Sequence, residues 1–284
     1  MRKRRLALAA LTVITAFLLG PGMAWAEPAV KLSTTTSTEN SGLLAYLLPA
    51  FEAETGVKVH VIAVGTGKAL ELARNGDVDL TLVHARDSED KFVAEGSGVS
   101  RRDVMYNDFI LVGPDSDPAG VRKAGKDVLK GLQRIVESKN RFISRGDNSG
   151  TAQMEQAYWK QLGVRPSGNA YVSAGLGMGE VLNMAAEMQA YTLTDRATYI
   201  AYRARTGLAI LLEGDEKMFN PYGIIAVNPA RYPDINYKGA MRLVEWITSL
   251  QGQQKIASFR VDGQQVFFPA AKEAKQQSEV MPSK

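Results

Sequence analysis

Four short segments of the sequence place hydroxyl side chains or glycines between an apolar run and the expected start of a helix. They cover residues 34–38, 65–67, 145–151 and 175–179. Backbone N–H groups at a helix start are unsatisfied and carry partial positive charge, which suits an anion. Hydroxyls add neutral donors, and glycine lets the backbone approach a ligand closely. Ser and Thr are also favoured helix caps, so one segment proves little, but four together favour a shared anionic ligand.

Arg145 is a cation at the start of the third segment. Its guanidinium group offers five N–H donors in a fixed fork, which fits a tetrahedral oxyanion. The alternative is an ion pair with Asp147, two residues further on, or with another neighbour. In the fourth segment we expect the Met178 side chain to pack in the core, so that any ligand contact there would use its backbone N–H.

Patterns for catalysis or metal binding are much weaker. The chain has no Cys, which excludes zinc ribbons, iron–sulfur clusters and thiol nucleophiles, and no cluster of metal ligands stands out, so we expect no metal. Ser149 lies in a Gly-Asp-Asn-Ser-Gly segment that resembles a serine nucleophile loop, with His60 or His84 as the conceivable base. An exported serine hydrolase is therefore an alternative, although both histidines lie at or next to apolar strand segments, where a structural role is favoured.

Alternating apolar strands and amphipathic helices must position these segments. Strand-like runs occur near residues 30–32, 57–62 and 79–83, and the same rhythm returns near 141–144 and 171–173. Repetition of strand, turn and helix predicts an α/β fold with parallel, helix-covered sheets. Because the repetition occurs in two blocks, we expect two α/β lobes joined by two crossing strands, near residues 110–114 and 222–227.

The amphipathic pattern from Lys238 to about Phe259 needs a surface on which to pack, and we expect it to return to the first lobe. The predicted first lobe is therefore discontinuous, with residues 27–112 and 224–271, and the second lobe covers residues 113–223. Ligands of open α/β sheets bind at the carboxyl ends of the strands. The four segments are thus predicted to meet in the cleft between the lobes.

The N-terminal 26 residues have the three-part pattern of a secretory signal peptide. Four basic residues at positions 2–5 precede an apolar run from 6 to 19, and Ala24-Trp25-Ala26 follows. The pattern predicts cleavage after Ala26 and a periplasmic protein. Since the apolar run is shorter than the roughly 20 residues of a spanning helix, the mature chain is not expected to span a membrane.

Charge and composition narrow the class of partner. The chain has 34 basic and 30 acidic residues, and the four basic residues before position 26 account for the whole excess. A neutral mature chain lacks the electrostatic pattern of a nucleic-acid binder, and we expect no such partner. With 45% hydrophobic residues the chain can bury a large core, which excludes a disordered protein. We expect a monomer with a polar tail at residues 272–284.

Several motifs, taken together, resemble the periplasmic tungstate-binding proteins of ABC importers. The resemblance runs from about Leu32 to Phe259. The motifs are Ser33-Thr34-Thr35-Thr36-Ser37-Thr38, Val64-Gly65-Thr66-Gly67, Leu82-Val83-His84-Ala85, Tyr106-Asn107-Asp108-Phe109, Ser144-Arg145-Gly146-Asp147-Asn148-Ser149-Gly150-Thr151, Gly177-Met178-Gly179, Tyr191-Thr192-Leu193-Thr194-Asp195-Arg196 and Asn220-Pro221-Tyr222-Gly223. The sequence departs from that family's pattern at Ala152, where His is frequent.

This resemblance implies a type II periplasmic binding fold that closes on tungstate and delivers it to an ABC permease and its ATPase. It implies no cofactor. The residues of this chain at the corresponding ligand-binding positions are Thr35, Thr36, Ser37, Thr66, Arg145, Ser149, Thr151 and the backbone of Met178. From the residues alone the ligand is only an oxyanion, so molybdate, sulfate and phosphate are alternatives. Tungstate and molybdate are tetrahedral dianions of nearly equal size, and no residue type distinguishes them.

Overall fold

The computed structural model describes residues 28–271. The predicted signal peptide, residues 1–26, and the predicted polar tail, residues 272–284, lie outside this part. Within it, no helix is both long enough and apolar enough to cross a bilayer.

The α-helices of the described part follow the amphipathic runs of the sequence. Their bounds are α1 (Thr36–Asn40), α2 (Leu43–Thr55), α3 (Thr66–Asn75), α4 (Arg86–Ala94), α5 (Val128–Glu137), α6 (Gly150–Leu162), α7 (Met178–Glu187), α8 (Arg196–Thr206), α9 (Tyr237–Thr248) and α10 (Leu250–Ser258).

The β-strands alternate with these helices over most of the chain. Their bounds are β1 (Val30–Thr35), β2 (Val59–Val64), β3 (Leu80–Val83), β4 (Gly98–Gly113), β5 (Phe142–Ser144), β6 (Tyr171–Ser173), β7 (Thr192–Asp195), β8 (Ala209–Leu212), β9 (Phe219–Val227), β10 (Arg260–Val261), β11 (Gln264–Gln265) and β12 (Phe268–Pro269).

The first lobe is built on a sheet with the strand order β12-β4-β9-β3-β1-β2. Strand β1 pairs in parallel with both β2 and β3, so the carboxyl ends of these three strands lie at one edge. Strand β9 runs antiparallel to β3 and to β4. Helices α9 and α10 pack back on this lobe, where Leu243 and Ile256 join the core of β1 and α2.

The second lobe forms where β4 changes its partners. Residues up to Asp108 pair with β9, whereas the residues from Phe109 onward pair with β7 and β8. Strand β5 pairs in parallel with β6 and bridges to Tyr191 before β7. Helices α5 and α6 cover this lobe over Leu132 and Trp159.

Strands β4 and β9 therefore run between two α/β lobes, and the predicted architecture is confirmed. Strand β4 is much longer than the apolar run that predicted it, because its first half pairs with β9 through irregular register. The numerical lobe boundaries at 112/113 and 223/224 stay predictions.

Candidate functional site

The first lobe contributes three strand ends to the cleft. Strand β1 ends at Thr35, which caps α1 by accepting a hydrogen bond from the Thr38 N–H. Strand β2 leads through Gly65 to Thr66, the first residue of α3, and β3 leads directly to His84. Because the three strands are parallel, residues more than forty positions apart in sequence come together at one edge.

The second lobe contributes the loop between β5 and α6. Gly146 has φ +64°, a left-handed conformation that favours glycine and turns the chain directly after Arg145. The Ser144 hydroxyl donates to the buried carboxylate of Glu155 at 2.7 Å, and the Gly146 N–H donates back to Ser144 Oγ at 3.1 Å. Helix α6 thus holds the start of the loop in place.

Arg145 is only 2% exposed. Its Nη2 donates to Asp147 Oδ2 at 2.6 Å, so the ion pair considered from the sequence exists. The same nitrogen lies 3.4 Å from Thr36 Oγ1 of the first lobe. Nε and Nη1 are buried and have no hydrogen-bond partner among residues 28–271. The arginine therefore retains two donors beyond its ion pair, and it reaches across the cleft.

Three hydroxyls at the starts of α3 and α6 also retain a proton. Thr66 Oγ1 accepts from the Gly150 N–H of the second lobe at 2.9 Å, and Ser149 Oγ accepts from the Ala152 N–H at 3.1 Å as the cap of α6. A hydroxyl that accepts can still donate its own proton. Thr151 Oγ1 is buried and has no partner within the described chain. Each of these groups can donate to an anion.

The Thr-rich loop of the first lobe is bonded mostly to itself. Thr35 Oγ1 lies 3.0 Å from Ser37 Oγ and 2.7 Å from Thr38 Oγ1. Ser37 Oγ lies 3.2 Å from His84 Nε2. Thr35 and Ser37 are about 1% exposed, whereas Thr36 between them is half-buried and contacts Arg145.

The fourth predicted segment is attached to the third. The Gly175 N–H donates to the Arg145 carbonyl at 2.7 Å, which ties the two loops together. Met178 is the first residue of α7, its side chain is fully buried in the core, and α7 contacts α1. The expected packing role of this side chain is therefore seen, and a ligand contact by its backbone N–H stays a prediction.

This geometry can be set beside known proteins. Residues 24–250 match the family model of the PBP superfamily domain. The tungstate-binding protein TupA of Peptoclostridium acidaminophilum is 49% identical over 249 residues, which cover 87% of each chain. The chain belongs to the TupA family.

Two solved structures resemble this TupA family member closely. A structure described as the tungstate ABC transporter from Geobacter sulfurreducens is 54% identical, covers 82% of this chain and 100% of its own, and gives a TM-score of 0.76. The tungstate-binding protein TupA of Desulfovibrio alaskensis is 44% identical, covers 86% of this chain and 100% of its own, and gives a TM-score of 0.74. The type II periplasmic binding fold follows from these matches and from the topology.

In this TupA family member, sequence reasoning missed the position of His84. The imidazole lies beside Ser37, and its Nδ1 lies 3.0 Å from Asn220 Oδ1 of the crossing strand β9. The signal was available, since His84 directly follows β3, the third parallel strand that ends at the cleft. Asn107 of β4 and Asp195 at the end of β7 are further buried polar groups around the same crossing.

Ser37, His84 and Asn220 are hydrogen-bonded in series, as the nucleophile, the base and the orienting residue of a catalytic triad are. Burial, together with the positive charge of Arg145, lowers the pKa of His84 to about 4. Such an imidazole is a weak base near neutral pH, and the uncharged Asn220 does not stabilise an imidazolium as a carboxylate would. Ser149, the nucleophile of the alternative hydrolase hypothesis, instead caps α6. The arrangement favours fixed hydrogen bonding over nucleophilic catalysis.

No group of three or more His, Asp or Glu side chains between residues 28 and 271 is arranged to hold a metal ion. The site instead combines a guanidinium group, hydroxyls and backbone N–H groups from both lobes. Its chemistry is that of hydrogen-bond donation to an oxyanion.

Proposed function

We propose that this protein is a periplasmic solute-binding protein that captures tungstate between its two lobes and delivers it to an ABC permease driven by an ATPase. Three relatives that each cover more than 80% of the chain are named for tungstate binding or for a tungstate ABC transporter. Those names describe transport binding proteins, and we propose the same role, without catalysis or cofactor, for this chain.

The observation that carries the proposal is the set of unpaired buried donors at Arg145 and Thr151. Nε and Nη1 of Arg145 and the hydroxyl of Thr151 have no partner within residues 28–271. A buried polar group left without a hydrogen bond costs roughly 1–3 kcal/mol. An oxyanion at this point would satisfy all three donors, and the guanidinium would compensate its charge.

The proposed site uses residues from both lobes. Arg145, Thr66, Ser149 and Thr151 retain protons that can reach an anion. Thr36 faces Arg145 across the cleft. Thr35, Ser37 and the backbone N–H of Met178 complete the proposed set of ligand-binding groups.

The chemistry of the donors supports a fully deprotonated anion. Tungstate and molybdate carry no proton near neutral pH, whereas phosphate carries at least one and needs an acceptor for it. Asp147, the carboxylate next to Arg145, already accepts from Arg145 and from the Ser149 N–H. The abundance of donors thus favours an anion without a proton, and the choice of tungstate over molybdate rests on the names of the relatives.

A thermal-shift panel tests the proposal. Purified mature protein is dialysed free of oxyanions and heated with sodium tungstate, molybdate, sulfate or phosphate. At a ligand concentration a thousandfold above the dissociation constant, stabilisation should reach about 4 kcal/mol. We expect this with tungstate and a smaller shift with phosphate. Stabilisation by molybdate alone would reassign the ligand, and no shift with any oxyanion would overturn the function.

Export is proposed on the sequence pattern of residues 1–26, which lie outside the described part. The mature chain would begin at Glu27, carry the tail at 272–284 and act as a monomer in the periplasm. Mass spectrometry of protein recovered from the periplasm should give the mass that begins at Glu27. A mass that includes residues 1–26 would contradict the cleavage, and light scattering would test the monomer.

A further inference from the structure

His84 is hydrogen-bonded at both ring nitrogens inside the molecule. It is 4% exposed, and its ring stacks on Tyr222 with centroids 4.7 Å apart. Nδ1 lies 3.0 Å from Asn220 Oδ1, and Nε2 lies 3.2 Å from Ser37 Oγ. The imidazole therefore connects the Thr-rich loop of the first lobe to the crossing strand β9.

The direction of these hydrogen bonds follows from the amide of Asn220. Its Nδ2 donates to Asn107 Oδ1 at 2.6 Å, so its Oδ1 faces His84. An amide oxygen only accepts, so with the amide in this orientation Nδ1 of His84 carries the ring proton. A neutral imidazole has one N–H, which leaves Nε2 as an acceptor and makes the Ser37 hydroxyl the donor to it.

The same reasoning extends along the loop. The Thr38 N–H can only donate, and it donates to Thr35 Oγ1 at 3.2 Å. With the proton of Ser37 committed to His84, the 3.0 Å contact requires Ser37 Oγ to accept from the Thr35 hydroxyl, and the Thr38 hydroxyl at 2.7 Å is then the donor to Thr35 Oγ1. Both hydroxyl protons thus point into the protein. Thr36 Oγ1 accepts weakly from Arg145 Nη2 at 3.4 Å, and its own proton is not used by that contact.

We propose that His84 is a positioning residue of the oxyanion site. Held as the Nδ1–H tautomer by Asn220, it accepts a hydrogen bond from the Ser37 hydroxyl at Nε2, so that Thr35 and Ser37 shape the loop while Thr36 presents its hydroxyl to the ligand. The inference rests on the proposed function and deepens it by separating residues that touch the anion from those that orient the loop.

Two further features agree with this assignment. A neutral ring is required, and burial next to Arg145 keeps His84 neutral near pH 7 by lowering its pKa to about 4. Thr36 is the half-buried member of the loop, whereas Thr35 and Ser37 are buried. Thr36 is thus accessible to a ligand, and the two residues proposed to orient the loop are not.

The tautomer can be measured without any ligand. The chain has two histidines, and exposed His60 on β2 provides a reference signal from a solvent-accessible imidazole. Long-range ¹H–¹⁵N spectra at pH 7 should show His84 as the neutral Nδ1–H tautomer. The Nε2–H tautomer would reverse the direction of the loop's hydrogen bonds and overturn the inference. This outcome is independent of whether the protein binds tungstate.

A pair of variants tests the effect on binding. The Gln amide reaches the position of Nε2, and the Asn amide reaches that of Nδ1. Calorimetry with sodium tungstate should show His84→Asn about tenfold weaker than wild type, with His84→Gln recovering most of that loss. In a Ser37→Ala background the Gln and Asn variants should bind alike.

The outcomes separate the inference from the function on which it rests. Equal affinity of wild type, His84→Asn and His84→Gln would show that His84 does not position the loop. Wild type that binds no oxyanion would overturn the proposed function and leave the tautomer result standing. If both variants fail to fold, as judged by thermal unfolding, the spectrum of the wild-type protein decides.

Discussion

The two sides of the cleft differ in how their polar groups are satisfied. On the first-lobe side, Thr35 bonds to Ser37, and Ser37 in turn bonds to His84. On the second-lobe side, Arg145 and Thr151 keep buried donors with no partner in the described structure. A satisfied network stabilises one arrangement of the loop, whereas unsatisfied donors favour binding of a ligand. We therefore expect the first lobe to set geometry and the second lobe to supply most of the affinity.

The largest expected effect is a loss of stability at low pH, which tests whether His84 on the first-lobe side is neutral. The pKa of His84 falls from 6.5 to about 4 on burial. Between these values the unfolded chain binds a proton that the folded protein does not, so stability falls as the pH drops. The loss should be about 3 kcal/mol by pH 4. Urea unfolding at pH 7 and pH 4 should show this loss in wild type and not in His84→Gln.

The matched control for this prediction is His60→Gln, which makes the same chemical change at an exposed imidazole. Burial raises the pKa of Glu155 and of Asp195, and these carboxyl groups act in the opposite direction. Comparison of variants cancels their contribution, because wild type and variant share them. An identical pH response of wild type and His84→Gln would show that folding does not lower the pKa of His84.

Next in size is the loss of charge on the second-lobe side. Arg145→Ala removes charge-assisted hydrogen bonds worth about 1.5–3 kcal/mol, so tungstate affinity should fall roughly 10- to 150-fold. Arg145→Lys should recover only part, because an ammonium group lacks the fork geometry. Calorimetric titration measures both variants. Arg122→Ala, which removes an exposed ion pair with Asp115, is the control and should bind as wild type does. Unchanged affinity of Arg145→Ala would show that the arginine pairs with Asp147 and does not bind the ligand.

Preventing the close approach of the two lobes should reduce tungstate affinity by a similar or smaller factor. A Cβ at Gly150 of the second lobe would lie 2.8 Å from His84 Nδ1 and 2.9 Å from the His84 carbonyl oxygen of the first lobe. Gly150→Ala therefore obstructs this approach of the lobes. Overpacking of this kind costs about 1–3 kcal/mol, which corresponds to roughly a 5- to 150-fold loss of affinity.

Scattering can separate this effect from local damage. Wild type should become more compact with tungstate, as hinge closure requires, and Gly150→Ala should compact less. Gly65→Ala is the control on the facing loop, because its Cβ would meet only Asp147 Oδ2 at 3.8 Å, an ordinary van der Waals contact. Equal compaction and equal affinity for Gly150→Ala and wild type would contradict the close approach at His84.

The parts of the site that could be predicted are those encoded locally. A strand followed by a hydroxyl-rich loop and a helix start is visible at Thr35, Thr66 and Ser149. Arg145 is identified by its charge and its place in such a loop. Each of these features is complete within a few residues, so no tertiary contact is needed to find it.

What could not be predicted depends on contacts between distant residues. Ser37 is 47 positions from His84, and His84 is 136 positions from Asn220. Whether Thr35 or Thr36 faces the cleft is decided by these contacts, since the two residue types are identical. The sequence therefore indicates the loop and leaves the direction of its hydroxyls open.

One buried ion pair explains two elements that the pattern missed. Glu89 of α4 and Arg101 of β4 lie 2.7 Å apart, with the glutamate side chain fully buried. Charged residues at these positions mask both the helical period of residues 86–94 and the strand character of residues 98–107. A period search treats such residues as solvent-exposed, because burial of a charge depends on a partner elsewhere in the chain.

The smallest effect distinguishes an unsatisfied ligand donor from an ordinary buried hydroxyl. Thr151→Val removes a hydroxyl without a partner in the described structure, so the ligand-free protein should become slightly more stable. Its tungstate affinity should nevertheless fall about two- to tenfold, since one neutral hydrogen bond is worth about 0.5–1.5 kcal/mol. Thr81→Val removes a comparable buried hydroxyl on β3 and should raise stability without changing affinity. Thermal unfolding and calorimetry of both variants give the test. If Thr151→Val and Thr81→Val behave alike in binding, the Thr151 hydroxyl does not contact the ligand, and the contrast between the two sides of the cleft rests on Arg145 alone.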